Sequence, residues 1–92
     1  MYIRRKNEYG EVAYTLDGKY IRAGRNGSIM YNIDGKYIRS SMKDYGDIIY
    51  NIDGKYIRSG MKDYGDVIYN IDGKYIRFGR SDCGERVFYL DV

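Results

Sequence analysis

The chain has 92 residues, a formal net charge of +3 from 16 Lys and Arg against 13 Asp and Glu, 13 Tyr, 12 Gly, and no Pro, His or Trp. So mild a charge does not by itself mark a nucleic-acid or anionic-membrane binder, and without histidine the commonest general acid/base and the commonest metal ligand are both missing. The single cysteine, Cys83, excludes an internal disulfide and agrees with a reducing compartment.

The amino terminus, Met1 to Lys6, holds no apolar run long enough for a secretory signal or a membrane span, so a cytoplasmic protein is expected. Within it Tyr2-Ile3-Arg4 reads as a strand whose partner lies elsewhere, because the triplet returns at Tyr20, Tyr37, Tyr56 and Tyr75. Each later copy follows an Asp-Gly pair, and the steps from Asp17 to Asp34, Asp53 and Asp72 are 17, 19 and 19 residues. A period that short is one supersecondary unit per repeat. No Pro/Ser-rich linker divides the chain, so residues 1–92 read as one domain of ~19-residue hairpin repeats with half a repeat at each end.

In the clearest copy, Asp47 to Ile52 and Lys55 to Gly60 alternate on either side of Asp53-Gly54. That is the strongest short-range signal for a hairpin with a type I′ turn. Pairing outward predicts Ile52 opposite Lys55, Asn51 opposite Tyr56, Tyr50 opposite Ile57 and Ile49 opposite Arg58. Opposed residues share a face. One face then carries Ile48, Tyr50, Ile52 and Ile57 with Lys55 and Ser59, and the other Ile49, Asn51, Tyr56 and Arg58.

The linkers must preserve that parity. Arg25-Asn26-Gly27 suits a three-residue loop with Gly27 left-handed, which pairs Ala23 with Ile29. The longer Met61-Lys62-Asp63-Tyr64-Gly65 sets Ser59 against Val67. In this register Tyr14, Ile21, Tyr31, Ile38, Tyr50, Ile57, Tyr69 and Ile76 form one row, on the face better suited to burial. The opposite face carries an Asn/Tyr row and a second row alternating Arg22, Arg39, Arg58 and Arg77 with Ala13, Met30, Ile49 and Ile68.

Near the carboxyl end Val87-Phe88-Tyr89-Leu90 resembles the first strand Val67-Ile68-Tyr69-Asn70, but Arg86 reads as an insertion and leaves the final register open. The fold expected is all-β, an antiparallel up-and-down meander of about ten short strands. At ~4.8 Å per strand an open ribbon would be ~48 Å across, and a wet Tyr/Ile row would forfeit roughly 1.5–3 kcal/mol per aliphatic side chain. The sheet should therefore curl into a barrel closed by the half-repeats at Tyr2 and Phe88, or stay open as a single layer stacked on a second copy.

The Tyr-x-x-Asp-Gly-x-Tyr core, read from Tyr50 to Tyr56 and in its copies, resembles MORN-type repeats and the short tyrosine-rich β-hairpin repeats of uncharacterised bacterial proteins. The resemblance implies an elongated hairpin sheet used for protein or membrane contact, with no catalytic residues to carry over. Choline-binding repeats are a looser likeness whose tryptophan cages are missing.

Candidate sites are few. The turn aspartates are accounted for by turn chemistry. Asp63 and Asp66, with their counterparts Asp44 and Asp47, fall short of the six to eight oxygens a calcium ion takes. Cys83 has no histidine to activate it. No catalytic residue, cofactor or metal is expected, and the chain reads as no enzyme. The combination that stands out is Tyr20 with Arg22, Tyr37 with Arg39, Tyr56 with Arg58 and Tyr75 with Arg77, each pair two apart on one strand and so on one face. Such a surface suits protein interaction or self-association as a homo-oligomer, and secondarily nucleic-acid or glycan binding through stacking and guanidinium contacts.

Overall fold

The computed structural model describes residues 1–41, 43, 45–62, 64–81 and 83–91. They form ten strands: β1 (Tyr2–Arg5), β2 (Val12–Asp17), β3 (Tyr20–Ala23), β4 (Ile29–Asp34), β5 (Tyr37–Ser40), β6 (Ile48–Asp53), β7 (Tyr56–Ser59), β8 (Val67–Asp72), β9 (Tyr75–Phe78) and β10 (Arg86–Asp91). Each strand pairs with its neighbour in sequence, and β1 also pairs with β10, so the meander closes into an antiparallel barrel. Closure removes the free edges that an open sheet would leave. The molecule is a disc of 34 × 33 × 14 Å. Among the described residues no helix is long and apolar enough to cross a membrane.

The hairpin register differs from the expected one by a residue on each strand. In β6–β7, Asp53 faces Tyr56, Ile52 faces Ile57, Asn51 faces Arg58 and Tyr50 faces Ser59. The turn is therefore Gly54-Lys55, not Asp53-Gly54. Gly54 has φ +62° and Lys55 does not have positive φ, which is the demand of a type II′ turn with Gly first. Asp53 stays in the strand because its carboxylate accepts a hydrogen bond from Arg58 Nε at 3.1 Å. A shift of one residue on both strands leaves the parity from Tyr50 to Ser59 untouched. Lys55 moves from a face into the turn, and the bulge at Ile49 turns Ile48 from the inner to the outer face, opposite Arg39. The arginines Arg22, Arg39 and Arg58 therefore face Ile29, Ile48 and Val67 rather than Met30, Ile49 and Ile68.

Between hairpins, Ile57 faces Tyr69 and Tyr56 faces Asn70 as expected, but Val67 faces Arg58 rather than Ser59 because a β-bulge intervenes. The first linker shows the same correction. Ile29 meets Arg22, not Ala23, and the left-handed glycine is Gly24 at φ +57°, not Gly27. The cause is a fixed hydrogen bond. In each unit the left-handed residue after the second strand donates its N–H to the bulged residue of the first, as Gly60 does to Ile49 at 2.8 Å and Gly24 to Ala13 at 2.8 Å.

The last strand settles what the sequence left open. Phe88 faces Ile76 and Tyr89 faces Tyr75, so Phe88 takes the place of Tyr69 and Tyr89 that of Asn70. Arg86 faces Arg77 and stands where Val67 stands, so it is no insertion. Tyr2 facing Asp91 and Ile3 facing Leu90 repeat the Asp53–Tyr56 and Ile52–Ile57 pairs, and the two chain ends together build a fifth hairpin-like unit. Equivalent residues step by two positions along the sheet from unit to unit, so ten strands close with a stagger of ten residues. Equal strand number and stagger give a tilt of about 36°, enough to aim one Tyr, Ile or Phe of every strand at the axis.

Candidate functional site

The Tyr/Ile row expected on the buried face lines a cavity on the barrel axis. Tyr14, Tyr31, Tyr50, Tyr69 and Phe88 come from β2, β4, β6, β8 and β10, and Ile3, Ile21, Ile38, Ile57 and Ile76 from the strands between. Adjacent aromatic rings meet edge to face, with centroids 6.4 Å apart for Tyr14–Tyr31 and Tyr50–Tyr69, 6.0 Å for Tyr14–Phe88 and 6.3 Å for Tyr69–Phe88. That geometry is preferred because the positive edge of one ring meets the negative face of the next. Burial, then the neighbouring phenols Tyr14 and Tyr50, push the Tyr31 hydroxyl pKa up. Burial, then Tyr69 and Tyr14, do the same to Tyr50.

The Tyr/Arg surface lies on the outside of the barrel. The structure brings its residues together as stacked pairs, with the guanidinium carbon 6.0 Å from the Tyr37 ring centre for Arg39, 5.8 Å from Tyr56 for Arg58 and 5.9 Å from Tyr75 for Arg77. At Tyr20 the cation over the ring is Lys19 at 5.5 Å. Arg86, 4.0 Å from the Tyr75 ring centre, adds a second cation there.

Each of these arginines is also committed to the fold. Arg22, Arg39, Arg58 and Arg77 donate Nε to Asp17, Asp34, Asp53 and Asp72 at 2.9 to 3.1 Å. Their Nη1 atoms reach the carbonyls of Gly27, Gly46, Gly65 and Gly84 in the following linker. One guanidinium thus ties a turn to a linker, and its planar fork makes two bonds in fixed geometry. The turn aspartates hold one end of this clasp. The signal was in the sequence, since every Asp-Gly-Lys-Tyr-Ile-Arg stretch sets Asp five residues before Arg.

The most buried side chains are also on this outer face. Asn32, Asn51 and Asn70 are 0% exposed. Linkers fold over them, and Asn51 Nδ2 donates to the carbonyls of Gly60 at 2.9 Å and Lys62 at 3.1 Å. Asn32 latches Ser41 and Lys43 in the same way, and Asn70 latches Gly79 and Ser81. In the shortest linker Thr15 replaces Asn, its hydroxyl 2.6 Å from the Gly24 carbonyl. The linkers can lie this close because of their glycines. A Cβ on Gly65 would stand 2.5 Å from the Ser59 carbonyl oxygen.

Beyond the clasp the linkers form a rim. Tyr9, Tyr45 and Tyr64, each just before a linker glycine, are 88%, 82% and 79% exposed. Lysine ammoniums lie over two of these rings, Lys43 at 5.7 Å from the Tyr45 centre and Lys62 at 5.5 Å from that of Tyr64. Cys83 occupies the equivalent place and is exposed. Asp44 and Asp63 lie outside the described residues. Among the described residues no group of three or more His, Cys, Asp and Glu could hold a metal ion.

Five two-stranded units around an axis, joined by linkers, define a closed all-β repeat protein. The chain belongs to the family described as 6-fold beta flower protein, whose model matches residues 1–91. The short-repeat all-β character expected from the sequence is that of this family, and the match does not confirm a MORN-type relationship. No curated protein and no solved structure matches the chain significantly.

Proposed function

We propose that the protein is a non-catalytic module that binds other proteins or its own copies through the rim of the disc. The observation that carries this reading is the exposure of Tyr9, Tyr45 and Tyr64 at equivalent linker positions. A tyrosine offers a large apolar area at small entropic cost and a hydroxyl for a directed bond, which is why such residues anchor interfaces. Three of them around one disc supply repeated contacts whose effects multiply when a partner engages more than one. The Tyr/Arg rows of Tyr20, Arg22, Tyr37, Arg39, Tyr56, Arg58, Tyr75 and Arg77 stiffen the ground on which these anchors stand. Nucleic-acid or glycan binding through those rows is the second reading. It has less support, because two nitrogens of each arginine already bond within the fold.

Light scattering over a concentration series tests the first reading. The wild-type mass should rise with concentration, while a variant with Tyr9, Tyr45 and Tyr64 replaced by Ser should stay at one mass. Its melting temperature should stay within about 2 °C of wild type, as for surface changes away from packed features. If the wild type does not associate, self-association is lost and the triple variant serves as the control for binding to other proteins. Binding to a single-stranded oligonucleotide that weakens steeply between low and moderate salt would favour the second reading.

A further inference from the structure

The geometry points to the axial cavity as a binding site for a small, neutral, mainly hydrophobic molecule carrying one hydroxyl, with phenol as the type. The cavity has a volume of about 130 Å³. An apolar protein cavity of about 150 Å³ admits benzene, so one ring with one substituent fits this space, which opens to solvent. The site lies on the opposite face of the sheet from the Tyr/Arg rows, and the inference does not depend on the rim.

Charge is decided by the wall. The lining side chains are Ile, Tyr and Phe, and none is charged. An anion entering would shed its water with no counter-charge to replace it. A neutral ring loses little and covers apolar surface, at a gain proportional to the area removed from water. That surface is available, since Ile21, Ile76 and the aromatic rings are only half-buried.

The hydroxyl is decided by the phenols. Tyr14, Tyr31, Tyr50 and Tyr69 bring the only polar side-chain atoms among the lining residues. Within that lining Tyr14 packs on Tyr31 and Tyr50 on Tyr69, each with ring centroids 6.4 Å apart, and each phenol can donate to or accept from a guest hydroxyl. An apolar concavity with a few convergent polar groups is the usual form of a small-molecule site.

The test is an NMR titration of the full chain with phenol, following the Ile methyl and Tyr ring signals. Saturable shifts at Ile21, Ile57, Tyr14 and Tyr50, with a Kd of about 1 mM, are expected for a guest this small. Benzoate should bind at least about tenfold more weakly. Ile57→Phe, which fills the cavity, should abolish the shifts. A second variant guards against misfolding of the first: Tyr14, Tyr31, Tyr50 and Tyr69 replaced together by Phe, the residue already present at Phe88. It should keep the toluene affinity and lower the phenol-to-toluene ratio about fivefold. Shifts that do not saturate, shifts confined to the outer face, benzoate binding as tightly as phenol, or an unchanged ratio in the Phe variant would each overturn the assignment.

Discussion

Arg4 and Asp91, 87 residues apart, make the same ion pair at 2.8 Å that Arg58 and Asp53, five residues apart, make at 3.1 Å within one hairpin. Arg4 Nη1 also reaches the Gly10 carbonyl at 3.0 Å, completing the same clasp. The chain ends are thus held by the chemistry that holds each hairpin, without a peptide turn to assist it. Asp91→Asn should therefore cost more than Asp53→Asn, about 1 kcal/mol for a partly exposed charged bond. Hydrogen exchange should show β1 and β10 losing protection first. Equal losses in urea denaturation, with uniform exchange, would mean that the clasp does not control closure.

Asn51 is expected to matter more than its outward position suggests. Its Nδ2 serves two linker carbonyls, and Asn51→Ala would leave both without this donor in a partly buried setting. The loss should be about 2 kcal/mol. Asn51→Thr, copying Thr15, should recover part of it. Chemical denaturation of the three proteins checks the order, and a Thr variant no better than Ala would show that a single hydroxyl cannot hold the longer linker.

How far this architecture was legible in the sequence follows from which interactions are periodic. Alternation is a property of the backbone, so the inward Tyr/Ile row could be read from spacing and survived a register error, because Asp53-Gly54 to Gly54-Lys55 moves both strands together. Closure could be read only as one of two solutions, since sheet width demands cover but does not choose its kind. The choice rests on pairs such as Arg4–Asp91, whose members are remote in sequence. The outer face was misjudged as the wetter one because periodicity does not report loops folding back. Only the linker path buries Asn32, Asn51 and Asn70. The rim tyrosine Tyr64 was visible as a loop residue, but its exposure, like that of Tyr45, depends on how the linkers turn outward. The Asp-to-Arg spacing was present in each repeat and was hidden by the sufficiency of Asp-Gly as a turn signal.

Ser41 has φ +66° at the position where Gly60 has φ +68° and Gly79 φ +76°. A side chain in that region costs about 1–2 kcal/mol, and Gly at Ser41 would relieve it against an entropic loss of about 0.5–1 kcal/mol. Ser41→Gly should therefore raise stability by about 0.5 kcal/mol. The same change at Ser59, a strand residue, should lower it. Thermal melts of the two variants moving in the same direction would show that the left-handed backbone at Ser41 is not the cause.

Alkaline pH should loosen the barrel through its phenols. The folded-state pKa values of Tyr31 and Tyr50 lie above the ordinary 10.0, chiefly because burial penalises the phenolate and secondarily because neighbouring tyrosines do. Above that ordinary value the unfolded chain gives up its protons while the folded chain keeps them, so the unfolded state binds fewer protons and stability falls as pH rises. The contribution is complete below the unfolded pKa and is lost on passing through the raised one. Melting temperature should thus decline between about pH 9 and pH 11 more steeply in the wild type than in a Tyr31→Phe, Tyr50→Phe double variant. Lysines titrate in the same window but are common to both proteins and cancel in the difference. Identical alkaline slopes would mean that these two phenols ionise as freely in the barrel as in the open chain.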